Sequence, residues 1–177
     1  HKQNIACVAG DLEQAHQAGV EICRRANTVK MDSLAEVVIV SPGGAPRDKD
    51  LYQAQKALSV GEVFAKKEGC TFILCAKADE GMGEGLFRTW LEEAKEPGEV
   101  IERFREEGFN VGNNKAFMYA RAMLKGKVLI VSDQVDRSDL QNMMLDGVPS
   151  LQEAVDRVCE REKPEHIIVL PRAVNII

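Results

Sequence analysis

The chain reads as an α/β domain, a mostly parallel β-sheet covered by helices on both faces. Three observations predict this. Short continuous apolar runs rich in β-branched residues recur at residues 35–40, 70–76, 127–132 and 166–170. Between them lie longer stretches with apolar residues at helical spacing. The apolar runs do not alternate with polar residues, as strands buried on both faces should not. Strands separated by helices imply right-handed crossovers, which place the strand C-termini along one edge of a three-layer, Rossmann-like sheet. In such sheets ligands bind in the crevice outside those ends. The loops after Val40, Ala76 and Ser132 are therefore the places to seek a site.

In chain order, residues 4–9 read as a short strand, and Asp11 caps a helix to about Arg25 on which Leu12, Ala15, Gly19, Ile22 and Cys23 recur at helical spacing. Polar residues 27–33 break the pattern and mark the one candidate boundary. After the strand at 35–40 comes a Pro/Gly loop, then a helix from Leu51 to about Lys67 with a break expected near Gly61. The strand at 70–76 leads into a glycine loop, Gly81 to Gly85, and a helix from Leu86 to about Ala94. Pro97 and Gly98 are expected to interrupt before a helix from Val100 to Glu107. Asn113 or Asn114 is expected to cap the next helix, which runs to about Leu124. The strand at 127–132, a helix capped by Ser150 and the strand at 166–170 complete the series.

The 177 residues suit one domain, or one domain plus a connecting segment. A net charge of −5 and a pI near 5.3 argue against a nucleic-acid or anionic-membrane surface. No apolar run approaches the ~20 residues that span a bilayer, and the first residues do not read as a signal peptide. Five cysteines without a CxxC pair read as buried thiols of a cytoplasmic protein. The three histidines, His1, His16 and His166, form no ligand pair, so no metal site is expected in this chain. No GxSxG elbow or Cys–His pair suggests a nucleophile. Phe87 and Trp90 are expected in the core.

The segment SPGGAPRDKDLYQAQKA, residues 41–57, is the most informative. Gly43 and Gly44 permit a sharp turn or a close backbone approach, Pro46 stiffens the loop, and Asp48 or Asp50 can cap the following helix. Gln53 and Lys56, three apart, project from one helical face near its N-terminus. An ammonium and an amide so placed suit a carboxylate. The same spacing also fits two solvated side chains on an exposed helix.

This segment resembles a signature of the nickel-dependent lactate racemase family's C-terminal domain, matching at Gly43, Gly44, Pro46, Asp48, Tyr52, Gln53 and Lys56. Residues 79–87 resemble the family's glycine-rich turn before a helix. Residues 111–121 resemble the family's helix that carries a residue beside the cofactor; where some members hold Trp and others His followed by Lys-Ala, this chain has Asn114 and Lys115. The resemblance implies that residues 1–30 are an interdomain connecting segment and 31–177 the C-terminal α/β domain of a larger two-domain enzyme. It implies a racemase or epimerase of a 2-hydroxy carboxylic acid that uses a nickel-pincer nucleotide. Gln53 and Lys56 would hold the substrate carboxylate, Tyr52 and Asp48 would shape the loop, and Asn114, Lys115, Gly43 and Gly44 would lie near the cofactor. The catalytic bases, metal ligand and cofactor-tethering lysine would belong to an N-terminal catalytic domain of the same polypeptide. This chain alone would then be folded but inactive, with no cofactor of its own. The alternative is a non-catalytic α/β domain that binds a nucleotide or small anion, supported by glycine loops at two strand ends.

Overall fold

The computed structural model describes residues 3–176. The chain divides into two compact units, residues 1–31 with 175–177, and residues 32–174. In the first, helix α1 (Leu12–Asn27) begins where the Asp11 carboxylate accepts from the Gln14 N–H at 3.2 Å. None of its residues is buried. A hollow of about 350 Å³ lies between residues 3–8 and the Gly19, Ile22 and Ala26 side of α1. The strand expected at residues 4–9 does not form: the segment joins no ladder among the described residues, and apolar sequence without a partner strand leaves backbone groups unpaired. Cys7 and Cys23 are exposed, against the expectation of buried thiols; Cys70 is buried, and Cys75 and Cys159 are half-buried.

The larger unit is built on five strands: β1 (Val37–Val40), β2 (Cys70–Cys75), β3 (Gly126–Val131), β4 (Asp146–Val148) and β5 (Ile167–Leu170). They form one sheet in the order β4-β3-β2-β1-β5, and every pair is parallel. The expected α/β class is thus the observed one. Val37 pairs in register with Thr71 and Ile167, and Val40 with Leu74 and Leu170, so the strand ends align along one edge.

Six helices accompany the sheet: α2 (Leu51–Phe64), α3 (Leu86–Glu93), α4 (Pro97–Glu107), α5 (Asn113–Lys125), α6 (Arg137–Asn142) and α7 (Leu151–Glu162). One face of the sheet presents Val37, Ile39, Ile73 and Leu129 to Ala154 and Val158 of α7. The opposite face presents Val38, Val40 and Phe72 to Gly61 of α2. Residue alternation along the strands produces these two layers. Gly61 does not break α2, because it is where the helix passes closest to β1. Pro97 does not interrupt either: it opens α4 at a position where a missing N–H costs nothing. Phe87 and Trp90 are in the core, as expected. The sequence reading missed α6 and β4, both short.

Helices α2 and α5 pack against each other and are tied along their length. The Tyr119 hydroxyl, fully buried, donates to the Leu51 carbonyl at 2.9 Å, and burial pushes this phenol far above its usual range. Arg121 grips the buried Glu62 carboxylate with two hydrogen bonds, at 2.9 and 2.8 Å. Lys125 donates to the Glu62 carbonyl at 2.9 Å. Because α2 follows β1 and α5 precedes β3, both helices start at the edge where the strands end.

Candidate functional site

The loop after β1 is held from both sides. The Ser41 N–H donates to the Leu170 carbonyl, and the Ala173 N–H returns a bond to the Ser41 carbonyl, both at 3.0 Å. Gly43 and Gly44 follow with φ of 91° and 90°, a conformation that side chains with a Cβ disfavour. A Cβ on Gly43 would stand 3.0 Å from Arg172 Cγ, so this glycine faces the loop after β5. Asp48 is buried; its carbonyl accepts from the Ala78 N–H at 2.7 Å and thereby joins this loop to the one after β2. Asp50, not Asp48, caps α2, with its carboxylate 2.6 Å from the Gln53 N–H.

The glycine turn at residues 81–85 has a definite task. The Gly81 carbonyl accepts from the Leu51 N–H and the Met82 carbonyl from the Tyr52 N–H, each at 3.2 Å. With Asp50 on the Gln53 N–H, the first three amides of α2 are all occupied. These are the groups that a helix N-terminus normally offers to an anion. The turn therefore caps α2, and the first amides of this helix are not open to a phosphate. Gly83 has φ of 95°, and a Cβ there would meet Tyr52 Cβ at 2.8 Å. The turn thus presses on the residue that begins the candidate site.

Side chains supply the charge that the amides do not. Lys56 is exposed and donates to the Gln53 side-chain carbonyl at 2.8 Å. That bond orients the Gln53 amide, leaving its NH₂ and the remaining ammonium hydrogens free to donate. From α5, Lys115 reaches back to the Gln55 side-chain carbonyl at 2.9 Å, and its ammonium stands 5.6 Å from the centre of the Tyr52 ring. Gln55 is buried and is fixed in turn by a hydrogen bond to the Ser59 hydroxyl. Partial burial and the neighbouring Lys56 charge hold the Lys115 ammonium below the usual lysine range. Among the described residues, neither lysine has a carboxylate at ion-pair distance, whereas Arg88, Arg103, Arg121 and Arg157 on this unit's helices each do.

Of the expected site residues, Tyr52, Gln53, Lys56 and Lys115 come together. Asp48 lies beneath them as loop support. Gly43 is directed to the β5 side, against Arg172, and its N–H donates to the Ser41 hydroxyl; Gly44 faces open space, and its carbonyl accepts from the Arg47 N–H. Asn114 is half-buried at the start of α5, but it does not cap the helix. Gly112 occupies the cap position, and Asn113 turns back to bind Asn110 N–H and the Gly108 carbonyl, each at 2.9 Å. The sequence reading missed Gln55. Its signal was a polar residue on the stripe Leu51, Ala54, Leu58 that otherwise faces the core. A second hollow, of about 360 Å³, opens beyond β2 and β3 beside Lys77, Ser132 and Asp133. There the Lys77 cation is already paired with Asp79 at 2.9 Å.

Fold and site together define a parallel three-layer α/β domain with a cationic, amide-lined seat at the strand-end edge. Residues 30–177 match the lactate racemase C-terminal domain, and the chain belongs to that family. It is 31% identical over 178 residues to a lactate racemase of Thermoanaerobacterium thermosaccharolyticum and 30% identical over 185 residues to one of Lactiplantibacillus plantarum. These alignments cover 98% and 99% of this chain but only 41% and 42% of those relatives. The structure of the lactate racemase apoprotein from T. thermosaccharolyticum superposes with a TM-score of 0.85 at 27% identity, over 95% of this chain and 41% of that one. A protein from Thermotoga maritima shares the fold alone, with a TM-score of 0.58 at 11% identity over 91% of this chain and 41% of its own. No helix among the described residues is long and apolar enough to cross a membrane.

Proposed function

We propose that this chain is the substrate-anchoring half of a racemase or epimerase acting on a 2-hydroxy carboxylic acid. One observation carries the reading: the Gln53–Lys56 pair, held together at 2.8 Å, has donors to spare and, among the described residues, no carboxylate at ion-pair distance. A substrate carboxylate placed against both would receive a charged and a neutral hydrogen bond. Tyr52 would wall the seat, and Asp48 would fix the loop beneath it. Asn114 and Lys115, with Gly43 and Gly44, would border the cofactor. The relatives are more than twice as long as this chain, which accords with a catalytic N-terminal domain in the same polypeptide.

By the hydride route that the family resemblance implies, racemisation at such a carbon needs a hydride acceptor and bases for the hydroxyl proton. The nickel-pincer nucleotide that the family resemblance implies would supply the hydride-accepting chemistry. Among the described residues no group of three His, Cys, Asp or Glu side chains is arranged to hold a metal ion. This chain's donors therefore do not fit the metal of that group. They fit an anion: Lys56 and Gln53 would bind and orient the carboxylate, and the closing of the two halves would exclude water.

Lys56→Ala in the full-length protein tests the reading. KM for the hydroxy acid should rise on the order of tenfold or more, as expected for loss of a charged hydrogen bond. kcat should fall as well if the contact sets orientation, while the melting temperature should barely move, since the side chain is exposed. Unchanged kinetics at unchanged stability would show Lys56 to be an ordinary surface residue.

A further inference from the structure

The seat holds two ammonium groups, and the Gln53–Lys56 assignment uses only one. Lys115 is not a solvated surface lysine. It is drawn in from α5, hydrogen-bonded to a buried amide and laid beside the Tyr52 ring. The Lys56 charge bears on the Lys115 ammonium, and a neighbouring anion would offset that repulsion. The two cations are also anchored separately, Lys56 on Gln53 and Lys115 on Gln55. Gln53 and Gln55 are two residues apart, so their side chains leave α2 in widely different directions. One small carboxylate cannot readily satisfy two ammonium groups pinned to different amides; two anionic groups on one molecule can.

We propose that the seat takes a 2-hydroxy dicarboxylate, with Lys56 and Gln53 on the carboxylate beside the carbinol carbon and Lys115 on the distal carboxylate. This rests on the carboxylate role of Gln53 and Lys56 given above. Tyr52 lies between the two cations and would pack against the carbon chain that joins the acid groups. The occupied amides of the α2 N-terminus leave the distal carboxylate dependent on Lys115.

Calorimetric titration of the full-length protein with lactate, malate and 2-hydroxyglutarate tests this. At least one diacid should bind tenfold or more tightly than lactate. Lys115→Met should weaken the preferred diacid at least tenfold more than it weakens lactate, abolishing the preference, and Lys115→Arg should keep most of it, which separates lost charge from lost folding. Lys56→Met should weaken all three ligands. Equal binding of lactate and both diacids overturns the proposal, as does Lys115→Met weakening every ligand alike, which would mean one shared carboxylate. It is also overturned if Lys115→Met leaves the diacid preference intact but lowers the phosphate content of protein purified with its nucleotide, which would assign Lys115 to the cofactor. In these cases Lys56→Met still weakens lactate, and the broader carboxylate reading stands. If Lys56→Met is silent, both fail together.

Discussion

The Glu62–Arg121 pair fixes the distance between the two helices that carry the seat, and its two ends differ in a way that can be measured. The Glu62 side chain is 5% exposed and that of Arg121 42%. Replacing Arg121 by Met leaves a buried carboxylate without its cation. Breaking a fully buried pair in this way costs about 3–5 kcal/mol. Here the departure of a half-exposed guanidinium admits water to the carboxylate, so roughly half of that, about 1.5–2.5 kcal/mol, is expected. Replacing Glu62 by Met instead removes the buried charge, and the arginine is resolvated where it stands; the change should stay within ~1 kcal/mol of zero. Urea unfolding of the two single variants and the double variant, with equal m values as the check on two-state behaviour, gives the three free energies. The expected order is a large loss for Arg121→Met, a small one for Glu62→Met, and a double variant close to Glu62→Met. A Glu62→Met loss equal to or greater than that of Arg121→Met would refute the reasoning, because the cost would then lie in the pair's attraction and not in a stranded charge.

Gly61→Ala should destabilise, contrary to the usual rule for helices. The gain in helix propensity, about 1 kcal/mol, is opposed by a Cβ 2.7 Å from Val40 Cγ1, a stiff branched side chain in the core; overpacking of this kind costs about 1–3 kcal/mol. A thermal melt should show a midpoint a few degrees lower, and a raised midpoint would mean that α2 can slide on the sheet. Glu36 sets an acid limit. Its carboxylate accepts from Lys66 and, at 2.9 Å, from the His166 N–H, and these bonds lower its pKa from 4.5 to about 2. A carboxylate depressed in the folded state stabilises above its unfolded pKa and loses that contribution as pH falls through the folded one. The gap in melting temperature between the wild type and Glu36→Gln should therefore be full above pH 4.5 and close between there and about pH 2; a gap independent of pH would exclude the carboxylate as its source.

β1 and β2 were legible because burial on both faces demands an unbroken, largely apolar run, and β3 and β5 carry similar runs although β5 is an edge strand with Ile167 and Val169 exposed. β4 has only Val148 turned into the core, and α6 is six mostly polar residues, so neither carries a periodicity to read. Residues 4–9 show the converse: apolar sequence records a preference, whereas a strand requires a neighbour to complete its ladder. Pro-Gly commonly punctuates loops, yet the first position of a helix is where proline fits best, and Pro97 opens α4 there. In the site, the Gln53–Lys56 contact could be read from a spacing of three. The contact between Lys115 and Gln55 spans 60 residues of chain and follows from the packing of α5 on α2, which local pattern does not encode.

That packing explains why the seat is placed on helices. Tyr119 on the Leu51 carbonyl, Arg121 on Glu62 and Lys125 on the Glu62 backbone fix α5 against α2 near both ends. Lys115 is thereby carried on a helix fixed beside the one that carries Gln53 and Lys56. A seat on mobile loops would relax by separating the charges, and binding would have to reassemble them at an entropic cost. On tied helices an anionic ligand would find the helices that carry the cations already in place. The Gly81–Gly85 turn completes the arrangement. It occupies the backbone donors at the start of α2, so under the proposed function anion recognition would depend on the side chains of Gln53, Lys56 and Lys115. Specificity among hydroxy acids would then be adjustable at position 115 while the anchoring pair on α2 stays fixed.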